Sequence, residues 1–129
     1  MDPDRQARLI SEATRSRGNA VADRSGFSVG AAIETEDGRI FGGCNVENAT
    51  YGLTVCAERV AIWKALSEGA RRFRAVAVVT GADVPTPPCG ACRQILWEFA
   101  GDVPVVSATS GGAIREYRMS ELLPEPFDL

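Results

Sequence analysis

The chain has 129 residues, of which 45% are hydrophobic and 24% are charged, with a net charge of -3 and no histidine. This length and composition predict a single domain over residues 1–129. The weak negative charge excludes a basic surface for long nucleic acid, and the missing histidine excludes the usual serine and cysteine hydrolases. We expect a cytoplasmic protein without a membrane partner, because no signal peptide pattern or membrane-spanning apolar run is apparent.

The first half of the chain predicts a helix, a hairpin and a long loop. Apolar residues on one side of residues 3–23 predict an amphipathic helix. Two short strands are expected over residues 27–33 and after Asp37-Gly38, because Asp-Gly is a strong hairpin-turn signal. Residues 44–55 form a polar loop too long for a simple turn, and loops of this kind are where binding sites are built.

The second half of the chain alternates helices and strands. Residues 56–69 predict a helix that ends at Gly69, and the apolar run of residues 73–80 predicts a central strand covered on both faces. Residues 89–99 predict another helix, and residues 103–108 and 111–119 predict two further strands. Residues 120–129 predict a short helical turn and a tail. This order predicts a three-layer α/β/α sandwich around a mixed sheet of about five strands.

Three of the four cysteines stand at the starts of two predicted helices. Cys56 opens one helix, and Cys89 and Cys92 lie three residues apart at the start of the next. A helix N-terminus carries partial positive charge and free amide protons, which favour the thiolate that a metal requires. Zinc suits three thiolates and leaves a fourth position for water. The sequence therefore predicts a zinc site formed by reduced thiols, with either Cys44 or solvent as the fourth ligand.

Glu58 distinguishes a catalytic zinc site from a structural one. In the first turn of a helix, Cys56 and Glu58 can both reach a metal beyond the helix end, and the carboxylate can then act as a general acid and base. Arg59 is placed to offset the negative charge of three thiolates. The alternative is a non-catalytic zinc domain in which Cys44 supplies a fourth thiolate and Glu58 is dispensable.

The chain resembles the small, homotetrameric cytidine deaminases. The resemblance rests on "CNVENATYGLTVCAER", "PPCGACRQILWEF" and "ELLPEPF", and it extends from about residue 27 to residue 127. C-x-E followed by P-C-x-x-C is the zinc-deaminase signature, here with cysteine in the usual histidine position. The two zinc motifs alone would also fit adenine, guanine and antibiotic deaminases, and the "NVEN" stretch narrows the substrate to nucleosides.

The resemblance implies a role for each residue of the zinc motifs. Cys56, Cys89 and Cys92 would bind one zinc ion per subunit. Glu58 would transfer protons during the reaction. Arg59 would hydrogen-bond to the ligand sulfurs and temper their charge.

The resemblance also implies a nucleoside-binding pocket. In the family, the residues that match Asn45 and Glu47 bind the ribose 3′-hydroxyl, and the residue that matches Phe27 stacks on the pyrimidine. The backbone of Ala57 and Cys89 would contact the amide face of the base. The implied reaction is hydrolytic deamination of cytidine and 2′-deoxycytidine to uridine and 2′-deoxyuridine, in pyrimidine salvage.

Shared active sites follow from the homotetramer that the resemblance implies. Tyr51 and Phe127 match positions that help to close the site of a neighbouring subunit.

Three other positions depart from the family, since Arg24 replaces a tyrosine, Ser28 a proline and Pro87 a small polar residue. These positions border the base pocket and leave a second hypothesis open, in which the substrate is an N4-substituted cytosine nucleoside or an antibiotic such as blasticidin S.

Overall fold

A five-stranded mixed sheet with helices on both faces forms the structure, a computed structural model that describes residues 1–128. The elements are α1 (Pro3–Arg17), β1 (Val29–Thr35), β2 (Ile40–Cys44), α2 (Ala57–Ser67), β3 (Phe73–Thr80), α3 (Gly90–Ala100), β4 (Pro104–Thr109), β5 (Ile114–Arg118) and α4 (Met119–Leu122). The strand order is β2-β1-β3-β4-β5, with β3 and β4 parallel and the other pairs antiparallel. The predicted three-layer sandwich is confirmed.

The central strand β3 separates two hydrophobic clusters. Its bounds, Phe73–Thr80, are those predicted from the apolar run. Val78 belongs to the cluster under α2 and α3, whereas Ala77 belongs to the cluster that includes Leu9 of α1. Successive strand residues point to opposite faces, so a strand covered on both sides must be apolar at nearly every position.

The first helix is shorter than predicted. It ends at Arg17, and the N–H of Gly18 caps its last carbonyls. The expectation of a helix to residue 23 is wrong because Val21 pairs instead with the loop after β2. Its N–H donates to the carbonyl of Asn45 at 3.0 Å, and its carbonyl accepts from the N–H of Glu47 at 2.8 Å. Backbone groups used in this way cannot continue a helix.

The predicted hairpin turn at Asp37-Gly38 is present between β1 and β2. Gly38 has φ 91°, a conformation that glycine adopts without steric cost. The N–H of Thr35 closes the turn on the carbonyl of Arg39 at 2.8 Å. The following loop contains a short 3₁₀ turn, Tyr51–Leu53, which the sequence did not indicate.

Two glycines allow helices to lie directly against the hairpin. A Cβ atom at Gly30 would stand 1.9 Å from the carbonyl oxygen of Ala13 in α1. A Cβ atom at Gly43 would stand 2.5 Å from the backbone nitrogen of Ala61 in α2. Close approach therefore fixes the position of α2 and of the residues at its N-terminus.

Within residues 1–128, no helix has the length and apolar character needed to cross a bilayer.

Candidate active site

The structure brings the three predicted cysteines together. Cys56 and Cys89 each occupy the position immediately before a helix, at the N-termini of α2 and α3. Their Sγ atoms lie 3.8 Å apart, and the Sγ of Cys92, in the first turn of α3, completes a cluster within 4.8 Å. Residues 33 apart in the chain thus converge on one point.

This arrangement of sulfurs suits a zinc ion. Tetrahedral zinc with Zn–S bonds of about 2.3 Å separates its sulfur ligands by about 3.8 Å, which matches the distance between Cys56 and Cys89. Among residues 1–128, Cys44 does not belong to the cluster. The hypothesis of a closed four-cysteine site is therefore not supported, and three sulfur donors leave a tetrahedral position open.

The surroundings of the thiols favour a thiolate. The Nη2 of Arg59 donates to the Sγ of Cys56 at 3.3 Å. A hydrogen bond from Cys92, together with Arg59, lowers the pKa of Cys56 to about 5. Cys92 donates a hydrogen bond to Cys56 and is buried, and both effects raise the pKa of Cys92 well above its ordinary value. A metal cation favours the ionised form of all three sulfurs.

Glu58 lies in the first turn of α2 beside this cluster. It is only 6% exposed, and it lines the same cavity as Cys56. Burial raises the pKa of Glu58 to about 7, and the charge of Cys56 adds to the shift. A carboxyl group with a pKa near neutrality can both accept and donate a proton at cellular pH.

A cavity of about 560 Å³ adjoins the cluster. Pockets of roughly 300–1,000 Å³ are the usual size for small-molecule sites. All the base- and ribose-contacting residues predicted within the same chain line it together: Phe27, Asn45, Glu47, Ala57 and Cys89. The cavity therefore unites the predicted zinc motifs and the "NVEN" stretch.

Backbone pairing on both sides holds the Asn45–Glu47 segment extended. Val46 forms bridges to Val21 on one side and to Val55 on the other. In an extended segment, residues two apart point to the same side, and both Asn45 and Glu47 line the cavity. The extended backbone thus directs the side chains of Asn45 and Glu47 to the same side.

The side chain of Asn45 also secures the segment that carries Phe27. Its Oδ1 accepts from the N–H of Val29 at 2.9 Å, and its Nδ2 donates to the carbonyl of Phe27 at 2.9 Å. Asn45 is 8% exposed, and its Nδ2 also has a marginal contact of 3.5 Å with the Oε2 of Glu47. Asn45 is thus a fixed wall of the cavity rather than a mobile loop residue.

Glu47 is held by the loop that precedes β1. Its Oε1 accepts from the N–H of Ser25 at 2.9 Å and from the N–H of Arg24 at 3.1 Å. Its Oε2 accepts from the hydroxyl of Ser25. These bonds, the Ser25 hydroxyl first, hold the pKa of Glu47 below its ordinary value. The carboxylate is therefore ionised and oriented at neutral pH.

Tyr51 and Phe127 lie apart from the cavity of their own chain. Their side chains are 73% and 66% exposed, and neither lines the cavity. The guanidinium of Arg24 lies 5.4 Å from the centroid of the Tyr51 ring. The amide of Gln94 bonds to both the carbonyl and the N–H of Phe127, at 2.8 and 3.2 Å. Both aromatic rings therefore face outward from the subunit.

Sequence reasoning assigned no role to several residues of the cavity wall. Ser25 lies between Arg24 and Ser28, two positions that depart from the family. No feature of the neighbouring sequence indicates that Ser25 contacts Glu47. Thr80 lies at the carboxyl end of a strand with a parallel neighbour, a position where ligands bind in α/β sheets. Arg93 follows Cys89 by one helical turn, a spacing that could have predicted its place on the same side of α3.

Comparison with known proteins agrees with this geometry. The family described as "Cytidine and deoxycytidylate deaminase zinc-binding region" matches residues 3–108. The chain belongs to this family. It is therefore an enzyme of a hydrolytic deaminase family, and the family's zinc-binding character together with the cluster of Cys56, Cys89 and Cys92 assigns zinc as its metal.

Individual relatives extend over most of the chain. A cytidine deaminase of Halalkalibacterium halodurans is 50% identical over 125 residues, which cover 96% of this chain and 94% of the relative. The crystal structure of a cytidine deaminase from Burkholderia pseudomallei superposes with a TM-score of 0.91 at 46% identity, covering 94% of this chain and 98% of the other. A blasticidin-S deaminase of Bacillus cereus is 33% identical over 104 residues, 74% of each chain. The predicted fold and family are confirmed.

Proposed function

We propose that the protein catalyses the hydrolytic deamination of cytidine and 2′-deoxycytidine to uridine and 2′-deoxyuridine, with one zinc ion per subunit. The observation that carries this proposal is the buried carboxyl group of Glu58 beside three converging thiols, in a cavity that Asn45 and Glu47 also line. An acid–base group, a metal site and a hydroxyl-binding pair occupy one pocket. This combination is what deamination of a cytosine nucleoside requires.

Cys56, Cys89 and Cys92 would hold the zinc ion. When bound, zinc activates a water molecule for attack on the ring carbon that carries the amino group. Arg59 donates to the sulfur of Cys56 and so withdraws part of the negative charge of three thiolates. A less negative ligand set preserves more of the positive charge that the metal offers to the site.

Glu58 is the proton-transfer group in this proposal. Its carboxylate accepts a proton from the nucleophilic water and delivers it to the ring nitrogen next to the reacting carbon. It next takes the second proton, from the hydroxyl group now on the ring carbon, and delivers it to the leaving amino group as the carbonyl forms, so that one water is consumed and one ammonia released for each nucleoside. A pKa raised to about 7 by burial suits both transfers.

The remaining residues of the cavity would recognise the nucleoside. Phe27 stacks on the pyrimidine, and the free N–H groups at the starts of α2 and α3, at Ala57 and Cys89, contact its amide face. Asn45 and Glu47 bind the ribose 3′-hydroxyl. Support comes from the position of all five residues on the wall of one cavity.

An antibiotic or N4-substituted cytosine nucleoside is the second candidate substrate. The similarity to a blasticidin-S deaminase and the proline-rich rim at Pro87 and Pro88 favour it. The higher identity to cytidine deaminases and the carboxylate of Glu47, a suitable acceptor for a ribose hydroxyl, favour cytidine. We therefore rank cytidine and deoxycytidine first.

We further propose a cytoplasmic homotetramer that acts in pyrimidine salvage and shares its sites between subunits. Tyr51 and Phe127 project outward and would each cover the cavity of a neighbour. Trp63, which is 45% exposed on α2, would lie in a contact between subunits. Light scattering on the purified protein measures this assembly, with a monomer as the contradicting result.

A spectrophotometric assay tests the proposed reaction. Purified protein is given cytidine, 2′-deoxycytidine, N4-methylcytidine or blasticidin S, each with and without a zinc chelator. We expect turnover of cytidine and deoxycytidine well above the other two, and loss of activity with the chelator. Exclusive turnover of blasticidin S or N4-methylcytidine would replace the substrate assignment, and no deamination of any of them would refute the proposed activity.

A further inference from the structure

The hydroxyl of Ser25 connects two residues of the cavity wall, Glu47 and Phe27. It donates to the Oε2 of Glu47 and accepts from the N–H of Phe27 at 3.0 Å. Glu47 and Phe27 are 20 residues apart in sequence, and a single side-chain oxygen lies between their polar groups. Ser25 is itself exposed on the wall of the cavity.

The contacts of Glu47 leave one oxygen available to a ligand. A carboxylate offers about four acceptor positions, two on each oxygen. The Oε1 atom already accepts from two backbone N–H groups, those of Arg24 and Ser25. The Oε2 atom accepts from the Ser25 hydroxyl and has a marginal contact of 3.5 Å with the Nδ2 of Asn45. A ligand hydroxyl would therefore bind at Oε2.

The two backbone donors alone do not determine the direction of Oε2. Both meet at Oε1, so the carboxylate can turn about that oxygen while it keeps both bonds. The hydroxyl of Ser25 removes this freedom because it binds the second oxygen. Fixing a binding group in its bound orientation lowers the entropic cost of binding a ligand.

We propose that Ser25 is a positioning residue for nucleoside recognition, whose hydroxyl orients the Glu47 carboxylate toward the ribose 3′-hydroxyl. This inference rests on the proposed function, since it requires a nucleoside in the cavity. Its chemical consequence is specific, because the benefit of Ser25 depends on a 3′-hydroxyl in the ligand. A ligand without that group gains nothing from an oriented carboxylate.

A comparison of substrates with and without the 3′-hydroxyl tests the proposal. The ratio of kcat/KM for 2′-deoxycytidine to that for 2′,3′-dideoxycytidine is measured in the wild type and in Ser25→Ala. We expect the variant to lower this ratio about tenfold, the usual effect of losing a hydrogen bond to a charged group. The change should appear mainly in KM for deoxycytidine, with kcat nearly constant. Ser25→Thr, which keeps the hydroxyl, should restore the ratio.

A second hydroxyl removed elsewhere serves as the control. Ser11 is exposed on α1, outside the cavity, and Ser11→Ala should leave the ratio unchanged. Equal losses on both substrates in Ser25→Ala would show a general structural effect and overturn the proposal. An unchanged ratio would overturn it as well.

Binding measurements separate this inference from the proposed activity. Calorimetric titration with 2′-deoxyuridine and 2′,3′-dideoxyuridine gives a dissociation constant for each ligand. The ratio of the two constants measures the preference for the 3′-hydroxyl without any turnover. A protein that binds these ligands with the expected ratio but does not deaminate cytidine would refute the activity and retain the role of Ser25. Absence of any preference for the 3′-hydroxyl in the wild type would refute the role of Ser25.

Discussion

The Sγ atoms of Cys56 and Cys89 lie 3.8 Å apart although the residues are 33 positions apart in the chain. They meet because α2 and α3 contribute to the same hydrophobic cluster on one face of the sheet, and both helices begin beside the cavity that Val78 of β3 lines. Each cysteine stands at a helix N-terminus, where the helix dipole favours a thiolate. The fold thus prepares a metal site at the start of two helices.

Replacement of Glu58 should separate metal binding from catalysis. Glu58→Gln keeps the size of the side chain but removes the carboxyl group that transfers protons in the proposed mechanism. We expect kcat for cytidine to fall by at least about a thousandfold, the order of general acid–base catalysis, with zinc content unchanged. Steady-state kinetics and metal analysis measure the two quantities. Glu68→Gln, at an exposed position after α2, is the matched control and should be fully active.

Substitution of a cysteine in the cluster should have a different effect from substitution of Cys44, which lies outside it. Cys92→Ser removes a ligand from the cluster, so we expect loss of most bound zinc and of activity. Cys44→Ala should retain both, because Cys44 lies at the end of β2 and outside the cluster. Zinc content per subunit after dialysis measures the difference. Zinc loss in the Cys44 variant would contradict the three-cysteine site.

Local patterns were sufficient for much of this site. The apolar run of residues 73–80 predicted β3 to the residue, since a strand covered on both faces needs an apolar side chain at each position. The spacing of Cys89 and Cys92 at the start of one predicted helix indicated a shared metal site, because residues three apart lie on the same side of a helix. Their meeting with Cys56 needed the additional knowledge of which helices share a face of the sheet.

Contacts between distant segments were beyond local patterns. The predicted end of α1, at residue 23, was wrong because Val21 pairs with the backbone of the Asn45–Glu47 segment. No feature of residues 18–23 indicates this pairing. The bond between Ser25 and Glu47 spans 22 residues and depends on the same pairing. Such contacts follow from the tertiary fold, so they become visible only in the structure.

Close packing of α2 on β2 should be necessary for the metal site. In Gly43→Ala, the new Cβ would lie 2.5 Å from the backbone nitrogen of Ala61 and 2.7 Å from the carbonyl of Ala57, so the helix must move. We expect a loss of about 2 kcal/mol in the free energy of unfolding, typical of overpacking, and weaker zinc retention. Urea denaturation and metal analysis measure both. Gly111→Ala, whose nearest atom is an ordinary contact at 3.8 Å, should change neither.

Stability should depend on pH through the buried carboxylate of Glu34. Arg5 and Arg74 bind its two oxygens at 2.8 and 2.9 Å, and the residue is fully buried. Burial alone would raise the pKa of Glu34, but the hydrogen bonds from Arg74 and Arg5 outweigh it and hold the pKa below its ordinary value. The folded state therefore binds this proton less readily than the unfolded chain, and ionisation stabilises the fold.

Glu34→Gln tests this dependence. We expect the variant to lose about 2 kcal/mol of unfolding free energy at neutral pH. The deficit relative to the wild type should persist above the unfolded pKa of 4.5 and shrink as the pH falls through the lower folded pKa, because the wild-type carboxyl then becomes neutral. Urea denaturation across this pH range measures it. Glu36→Gln, at an exposed position, should show no deficit, and a deficit in Glu34→Gln that stays constant with pH would refute the argument.

X-ray absorption spectroscopy at the zinc edge tests the metal site most directly, since it counts the sulfur neighbours of the ion. We predict three sulfur atoms at about 2.3 Å and one oxygen at about 2.0 Å in the purified protein. Four sulfur neighbours would mean a closed site that cannot present water to a nucleoside. That result, or purified protein without zinc, would contradict the account.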